Sequence, residues 1–249
     1  MKLTRIAGKN ANCLECPISN LCLAATLTNN EISLLDNIIE HPKALQKSET
    51  LFYAGEELEN IYAIRSGSIK TFSITQDGEE QITGFHHAGE MIGIDALAKN
   101  RHKSFAKAME TTEVCAIPYA ALDELAMKVP KIHHQLMTVM SNEIARQYDL
   151  MLTLNQRSAD QRLAAFLVNL YIQSLEYQSK PDVNLNMTRA ELGNYLGLAL
   201  ETVSRIISRF KNQELIKLDH KKVNILDFKK LAAMAGLYLE DSDLKKLAA

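Results

Sequence analysis

Polar and apolar positions change texture along this chain. Between residues 50 and 118, short apolar runs alternate with turns carrying Gly55, Gly67, Gly78, Gly84 and Gly89. Phe72 and Ile74 alternate with Thr71, Ser73 and Thr75, the period-two spacing of a half-buried strand. Asp77-Gly78 separates two strand-like runs and predicts a hairpin tip. The region predicts an all-β roll or barrel. Pro118 and Pro130 bracket a short helical piece over 119–129, and a long helix follows over about 131–155. In it Met137, Ile144 and Met151 fall on one row and Met140, Gln147 and Leu154 on another. This a/d heptad pattern predicts a two-stranded dimer seam, weakened at Gln147, its one polar member. The competing reading packs the methionine-rich stripe onto the chain's own β-domain.

The last hundred or so residues read as helical, with a wing. Residues 158–174 are amphipathic, with Leu163, Phe166, Leu167 and Leu170 on one face, and 178–186 form a polar connection. Thr188 and Glu191 make a capping box that starts a helix. Leu192 and Leu196 supply its buried face, Gly193 admits a second helix, and Gly197 suits a tight turn. The second helix, about 200–211, buries Val203, Ile206 and Phe210. Glu201, Ser204 and Arg205 then share an exposed face near its N-terminus, where a recognition helix meets base edges. Arg205 can fork onto guanine, Glu201 can accept from cytosine, and Ser204 can contact several bases. Thr202, Arg209 and Lys211 are better placed for phosphates. Two apolar runs, 215–218 and 223–226, flank a basic tip and predict a β-wing. A helical hairpin with a solvated charged face is the alternative.

Charge sharpens this picture. The chain of 249 residues carries a net charge of −2, so any nucleic-acid binding must be local. Residues 186–222 hold seven basic and four acidic side chains, a local excess of positive charge suited to phosphate. Hydrophobic content of 47% is ample for well-filled cores. Residues 1–10 show no apolar leader, and no stretch approaches the roughly 20 apolar residues that span a bilayer. The expectation is a cytoplasmic protein with no membrane partner.

Four cysteines carry the remaining chemistry. Cys13, Cys16 and Cys22 crowd the N-terminus, and Cys115 lies 93 positions beyond Cys22. In a reducing compartment they argue for metal or redox chemistry over disulfides. A structural zinc ion usually takes two tight Cys-x2-Cys pairs, and only one is present. An iron–sulfur cluster needs four thiolates and tolerates irregular spacing. Spacing favours the cluster without excluding zinc or inert buried thiols. Catalytic motifs are missing: no Gly-x-Gly-x-x-Gly, phosphate-loop Gly-Lys-Ser or His-Glu-x-x-His occurs. The pairs His86-His87 and His133-His134 lack supporting ligand spacing, and no enzyme is expected.

The cysteine array, the run Ile61-Tyr62-Ala63-Ile64-Arg65-Ser66-Gly67 and the helix text Glu201-Thr202-Val203-Ser204-Arg205 together resemble the FNR-type oxygen-responsive regulators of the CRP–FNR superfamily. The likeness covers nearly the full length. It implies an α+β fold: a cysteine-bearing segment (1–30), a cyclic-nucleotide-binding-like β-roll (31–130), a dimerisation helix (131–156) and a winged helix-turn-helix (157–249). It implies a [4Fe-4S] cluster on Cys13, Cys16, Cys22 and Cys115, converted by oxygen to [2Fe-2S] and eventually lost. It implies a homodimer reading a TTGAT…ATCAA palindrome in double-stranded DNA, with Arg205 and Glu201 on the G·C pair and Ser204 on a thymine, to activate or repress genes of anaerobic metabolism. RNA polymerase contact through a β-roll loop would fall at 76–80, around Asp77, Gly78 and Glu79. Leu200 stands where a valine is common, and Gln147 where an acidic seam residue is known. Nucleotide-binding relatives of this fold hold a cyclic phosphate with Gly-Glu and then Arg-Ser-Ala. Here Gly89-Glu90 is followed by Lys103-Ser104-Phe105, without the guanidinium fork, so no nucleotide is expected.

Overall fold

The computed structural model describes residues 12–177 and 183–237. The first ten residues, read above for a leader, and residues 178–182 of the polar connection lie outside the described residues. The chain divides into two compact units, Met1–Ala145 and Arg146–Ala249.

The first unit opens with a single 3-10 turn, Cys13–Glu15, and helix α1 (Asn29–Asp36). Thr28 caps α1 through a capping box with Glu31. Seven strands follow: β1 (Thr50–Phe52), β2 (Asn60–Ser66), β3 (Ser68–Ile74), β4 (Glu80–His87), β5 (Met91–Ile92), β6 (Phe105–Ala108) and β7 (Glu113–Pro118). They form two antiparallel sheets, ordered β1-β6-β3-β4 and β5-β2-β7. Phe52, Tyr62, Ile64, Ile69, Ile92 and Val114 fill one core of this roll. The predicted hairpin tip joins β3 to β4, where Gly78 N–H donates to Thr75 O (3.0 Å) and Thr75 N–H to Glu79 O (2.9 Å).

Strand β3 departs from the period-two expectation. It is buried on both faces through Phe72, whereas Ile74 is 51% exposed. Its pairing with β6 ends at Phe72, a bulge falls between Thr71 and Phe72 in its pairing with β4, and Ile74 lies beyond the flanked part of the sheet. The polar residues drawn inside have partners: Lys70 Nζ reaches Glu80 at 2.8 Å, and Thr71 Oγ1 lies 3.0 Å from His86 Nε2.

Helix α2 (Tyr119–Lys128) leads to the long helix α3 (Pro130–Gln156), within which the division between the units falls. The second unit continues with α4 (Ala159–Tyr177), β8 (Val183–Asn184), α5 (Arg189–Leu196), α6 (Leu200–Asn212), β9 (Ile216–Asp219), β10 (Lys222–Ile225) and α7 (Phe228–Met234). Leu163, Leu167 and Leu170 of α4 are buried as their spacing predicts. The wing is a three-stranded sheet, β8-β10-β9. Strand β8 was hidden in the polar connection, because two residues are too short to show a period. No helix among the described residues is long and apolar enough to cross a membrane.

Candidate functional site

Cys13 and Cys22 of the irregular N-terminal segment come to the same core as Cys115 of a strand. Cys13 and Cys115 are buried in one hydrophobic cluster with Leu23, Leu35, Ile61 and Ile117, and Cys22 packs against it. Cys115 is placed by β7, opposite Ala63 of β2. Next to it, Ala116 and Glu40 exchange both backbone hydrogen bonds at 2.8 Å, which brings His41 alongside; its Nδ1 lies 3.8 Å from Cys115 Sγ. Cys13 is held by its N–H, which donates to Asp36 Oδ1 at the end of α1 (3.1 Å). The Cys22 thiol donates to Ser19 O at 3.7 Å.

Cys13, Cys22 and Cys115 are each perturbed by burial and by other thiols. Burial pushes Cys115 up to about 12, helped by the charges of Cys16 and Cys22 and opposed by Arg65. Burial likewise raises Cys13 far above the ordinary thiol range, with the Asp36 hydrogen bond and the charges of Asp36, Cys22 and Cys115 adding to it. Cys22 is raised by burial first, against the lowering effect of backbone N–H donors at Ala24 and at Cys22 itself. Buried thiols of this kind stay neutral until something offsets the cost of the thiolate. Iron or zinc would do so. Among the described residues no group of three or more His, Cys, Asp or Glu is arranged to hold a metal ion. Cys13, Cys22 and Cys115 at one core supply sulfur donors of the kind a polynuclear cluster takes.

The wall of this thiol chamber includes α3. Ile132 belongs to the same hydrophobic cluster, and Leu136 and Val139 pack against it. The Gln135 amide donates to Cys22 O at 3.3 Å, and Lys131 Nζ reaches Glu31 Oε2 at 3.1 Å. The predicted seam occupies another stripe of the helix. Met137 (50%), Ile144 (54%) and Met151 (49%) are exposed in the single chain, Gln147 is exposed, and Met140 and Leu154 are half-buried. The methionine-rich stripe is therefore not packed on the chain's own β-domain, as the competing reading had it; Ile132, Leu136 and Val139 pack there instead. Asp36, His41 and Gln135 were not found from the sequence. They lie 23, 74 and 113 positions from the cysteines they touch, beyond any local pattern. Gln135 alone left a trace, as the polar residue beside Ile132, Leu136 and Val139.

The reading helix is built almost wholly by neighbouring residues. Thr188 and Glu191 form the expected capping box of α5. Gly197 ends it at φ 64°, a left-handed conformation that suits glycine. A Cβ on Gly193 would stand 2.5 Å from Leu198 O, so the turn needs a glycine there. Val203, Ile206, Ile207 and Phe210 bury one face of α6. Glu201, Arg205 and Arg209 are exposed, while Thr202 and Ser204 are half-buried beside them. Ser204 Oγ accepts from Arg189 Nη1 (3.3 Å), Arg205 Nη2 donates to Thr202 Oγ1 (3.5 Å), and Arg209 is ion-paired with Asp160 at 2.6 Å. Arg209, expected on phosphate, would thus share its charge with Asp160. A residue missed from the sequence is Arg162 of α4, whose Nη1 donates to Leu196 O at 3.0 Å and secures the turn. At the β3–β4 tip, Asp77, Gly78 and Glu79 are exposed.

Known proteins share these parts. Residues 161–234 match the Crp-like helix-turn-helix domain, and residues 42–129 match the cyclic nucleotide-binding domain. The chain is 45% identical over 240 residues to the fumarate and nitrate reduction regulatory protein of Vibrio cholerae, covering 96% of each. It is 46% identical over 230 residues to the protein of that name from Escherichia coli, covering 92% of each. Among solved structures, FixK2 from Bradyrhizobium japonicum matches with a TM-score of 0.72 at 25% identity, covering 79% of this chain and 97% of that one.

Proposed function

The chain belongs to the family of fumarate and nitrate reduction regulatory proteins, and on that footing we propose that it is an oxygen-responsive, homodimeric regulator controlled by an iron–sulfur cluster. At the coarser level it is a transcription regulator with a Crp-like DNA-binding element, and not an enzyme. The observation that supports the finer reading is that Cys13 and Cys115, far apart in the chain, share one hydrophobic core with Cys22 packed against it, a core that also takes in the first turns of α3.

Cys13, Cys16, Cys22 and Cys115 would hold a [4Fe-4S] cluster. Such a cluster supplies the reactivity toward oxygen, giving way to [2Fe-2S]. The rest is done by this chain's residues. Burial makes thiolates costly, so the bare thiols stay protonated; a bound cluster would offset the cost of the thiolates and would tie the segment around 13–22 to Cys115. Packed, it presents Cys22 O to Gln135 and leaves Ile132, Leu136 and Val139 seated. That seating fixes the stripe Met137, Ile144 and Met151 for a partner helix. The equilibrium between single chain and dimer then shifts with the state of the segment. A dimer presents two copies of α6 to successive major grooves, about 34 Å apart. Glu201, Ser204 and Arg205 would read base edges of a TTGAT…ATCAA-type site, with Thr202 and Arg209 toward phosphates. The exposed tip Asp77, Gly78 and Glu79 would meet RNA polymerase. The protein would work in the cytoplasm on genes of anaerobic metabolism.

Iron and acid-labile sulfide per chain after anaerobic purification test this reading, with absorption followed as air enters. Nearly equal iron and sulfide with a visible band that changes in air is the expected result. Zinc without sulfide, or a spectrum indifferent to air, would overturn it.

A further inference from the structure

One carboxylate of the β-roll collects more donors than any nearby charge requires. Asp95 Oδ2 accepts from Lys103 N–H (2.9 Å), Ser104 N–H (3.0 Å) and Ser104 Oγ (2.9 Å). Its Oδ1 lies 3.3 Å from His102 Nδ1. Successive backbone N–H groups converging with a hydroxyl form the concavity that proteins use for anions. This one lies within the residues matching the cyclic nucleotide-binding domain. We propose that Asp95 is a resident anion: its carboxylate fills the phosphate cradle of this domain, so the chain takes no cyclic nucleotide, and its removal opens a site for phosphate.

The cradle does not depend on Asp95 for its shape. The His102 ring stacks on Phe52, centroids 3.9 Å apart and planes 13° from parallel. Gly55 N–H donates to His102 O (2.8 Å), and His102 N–H donates to Glu56 O (2.9 Å). The 102–104 segment is thus pinned by β1 and the loop after it. The Asp95 side chain is 29% exposed, so an anion in its place would be reachable from solvent. Burial alone would raise the Asp95 pKa, but the donors from His102, Ser104 and Lys103 together hold it below the ordinary carboxylate value. The occupant is therefore a charged one. From the sequence, 103–105 lacks the guanidinium fork and carries the bulky Phe105. In the fold Phe105 is taken up by a stack on Phe72 at 5.1 Å, and the block is the carboxylate. The inference is independent of the cluster, since no cysteine touches this site.

Calorimetry on the full-length chain, purified anaerobically, tests it with cAMP and with inorganic phosphate. Wild type is expected to give no heat with either. Asp95→Ala is expected to bind phosphate saturably, at least roughly tenfold tighter than the weakest binding the calorimeter detects, a difference of about 1.4 kcal/mol. Ser104→Ala added to it should weaken the binding, since it removes one of the three donors and leaves the two backbone N–H groups. Asp95→Ser keeps one acceptor for the cradle and guards against a misfolded alanine variant; phosphate should raise its melting temperature and leave that of wild type unmoved. Binding of cAMP by wild type, or folded Asp95 variants blind to phosphate, would overturn the proposal.

Discussion

The thiol chamber and the reading helix are both small sites, yet they are made in opposite ways. At the reading helix, cap, turn and buried face come from residues within about two dozen positions of one another, Thr188 to Phe210. At the chamber, Cys13 leans on Asp36, Cys22 on Gln135 and Cys115 on His41. A site built locally holds its shape whenever its own segment folds. A site built from distant segments changes when any one of them shifts, which is what a sensor needs. On the proposed function, the DNA-reading surface is thus built locally, and the cluster chemistry sits where assembly depends on distant segments.

The comparison breaks most visibly if one cysteine is removed. Cys115→Ser should leave no [4Fe-4S] absorption and no specific DNA binding, while α5 and α6 stay folded by circular dichroism. A Cys115→Ser protein with a normal cluster would sink the assignment. The reciprocal change is Gly193→Val. Its side chain would collide with Leu198 O, costing about 3 kcal/mol by overpacking. DNA binding should vanish and the iron content should stay unchanged; joint loss of both would mean the two units fold as one.

Alkali probes the chamber alone. In the cluster-free chain, Cys115 keeps its proton in the folded state to about pH 12, against an ordinary value of 9.0. Folding then binds the proton that the unfolded chain releases. This contribution is fully present below about pH 9 and is lost as pH rises toward 12. Denaturant titrations should show a fall on the order of a few kcal/mol over that window, to which Cys13 and Cys22 add, and Cys115→Ser should remove the Cys115 share and leave theirs. Gln135→Leu should cost about 1 kcal/mol by removing one partly buried hydrogen bond. Sedimentation should show the dimer weakened several-fold with the cluster spectrum intact; an unchanged dimer would free α3 from the coupling role proposed for it. The smallest effect belongs to Thr188→Ala, which loses the α5 cap at about 1 kcal/mol. Melting of the second unit should drop by a few degrees, with no change in the air response.

These differences also mark what could be read in advance. The strands between residues 50 and 118, the helices α2 to α6 and the wing followed from periodicity, proline and glycine. Strand β8 did not, nor did the double burial of β3 through Phe72, because both depend on which strand lies beside them. The long helix showed one apolar stripe in heptads, while its second stripe, Ile132, Leu136 and Val139, became meaningful only against the thiol core.

By itself the sequence determined the donors and the letters: four thiols, a capped helix with Glu201, Ser204 and Arg205 on one face, and an apolar row on α3. These depend on residue type and on helical or strand period, which act over a few positions. Only the tertiary structure decided that Cys115 shares a core with Cys13 and Cys22, that Gln135 touches Cys22 O, that Arg209 is shared with Asp160, and that Lys103 and Ser104 donate to Asp95. Each of these contacts joins groups with no fixed spacing along the chain. It is the burial of the surfaces around them that sets their distance.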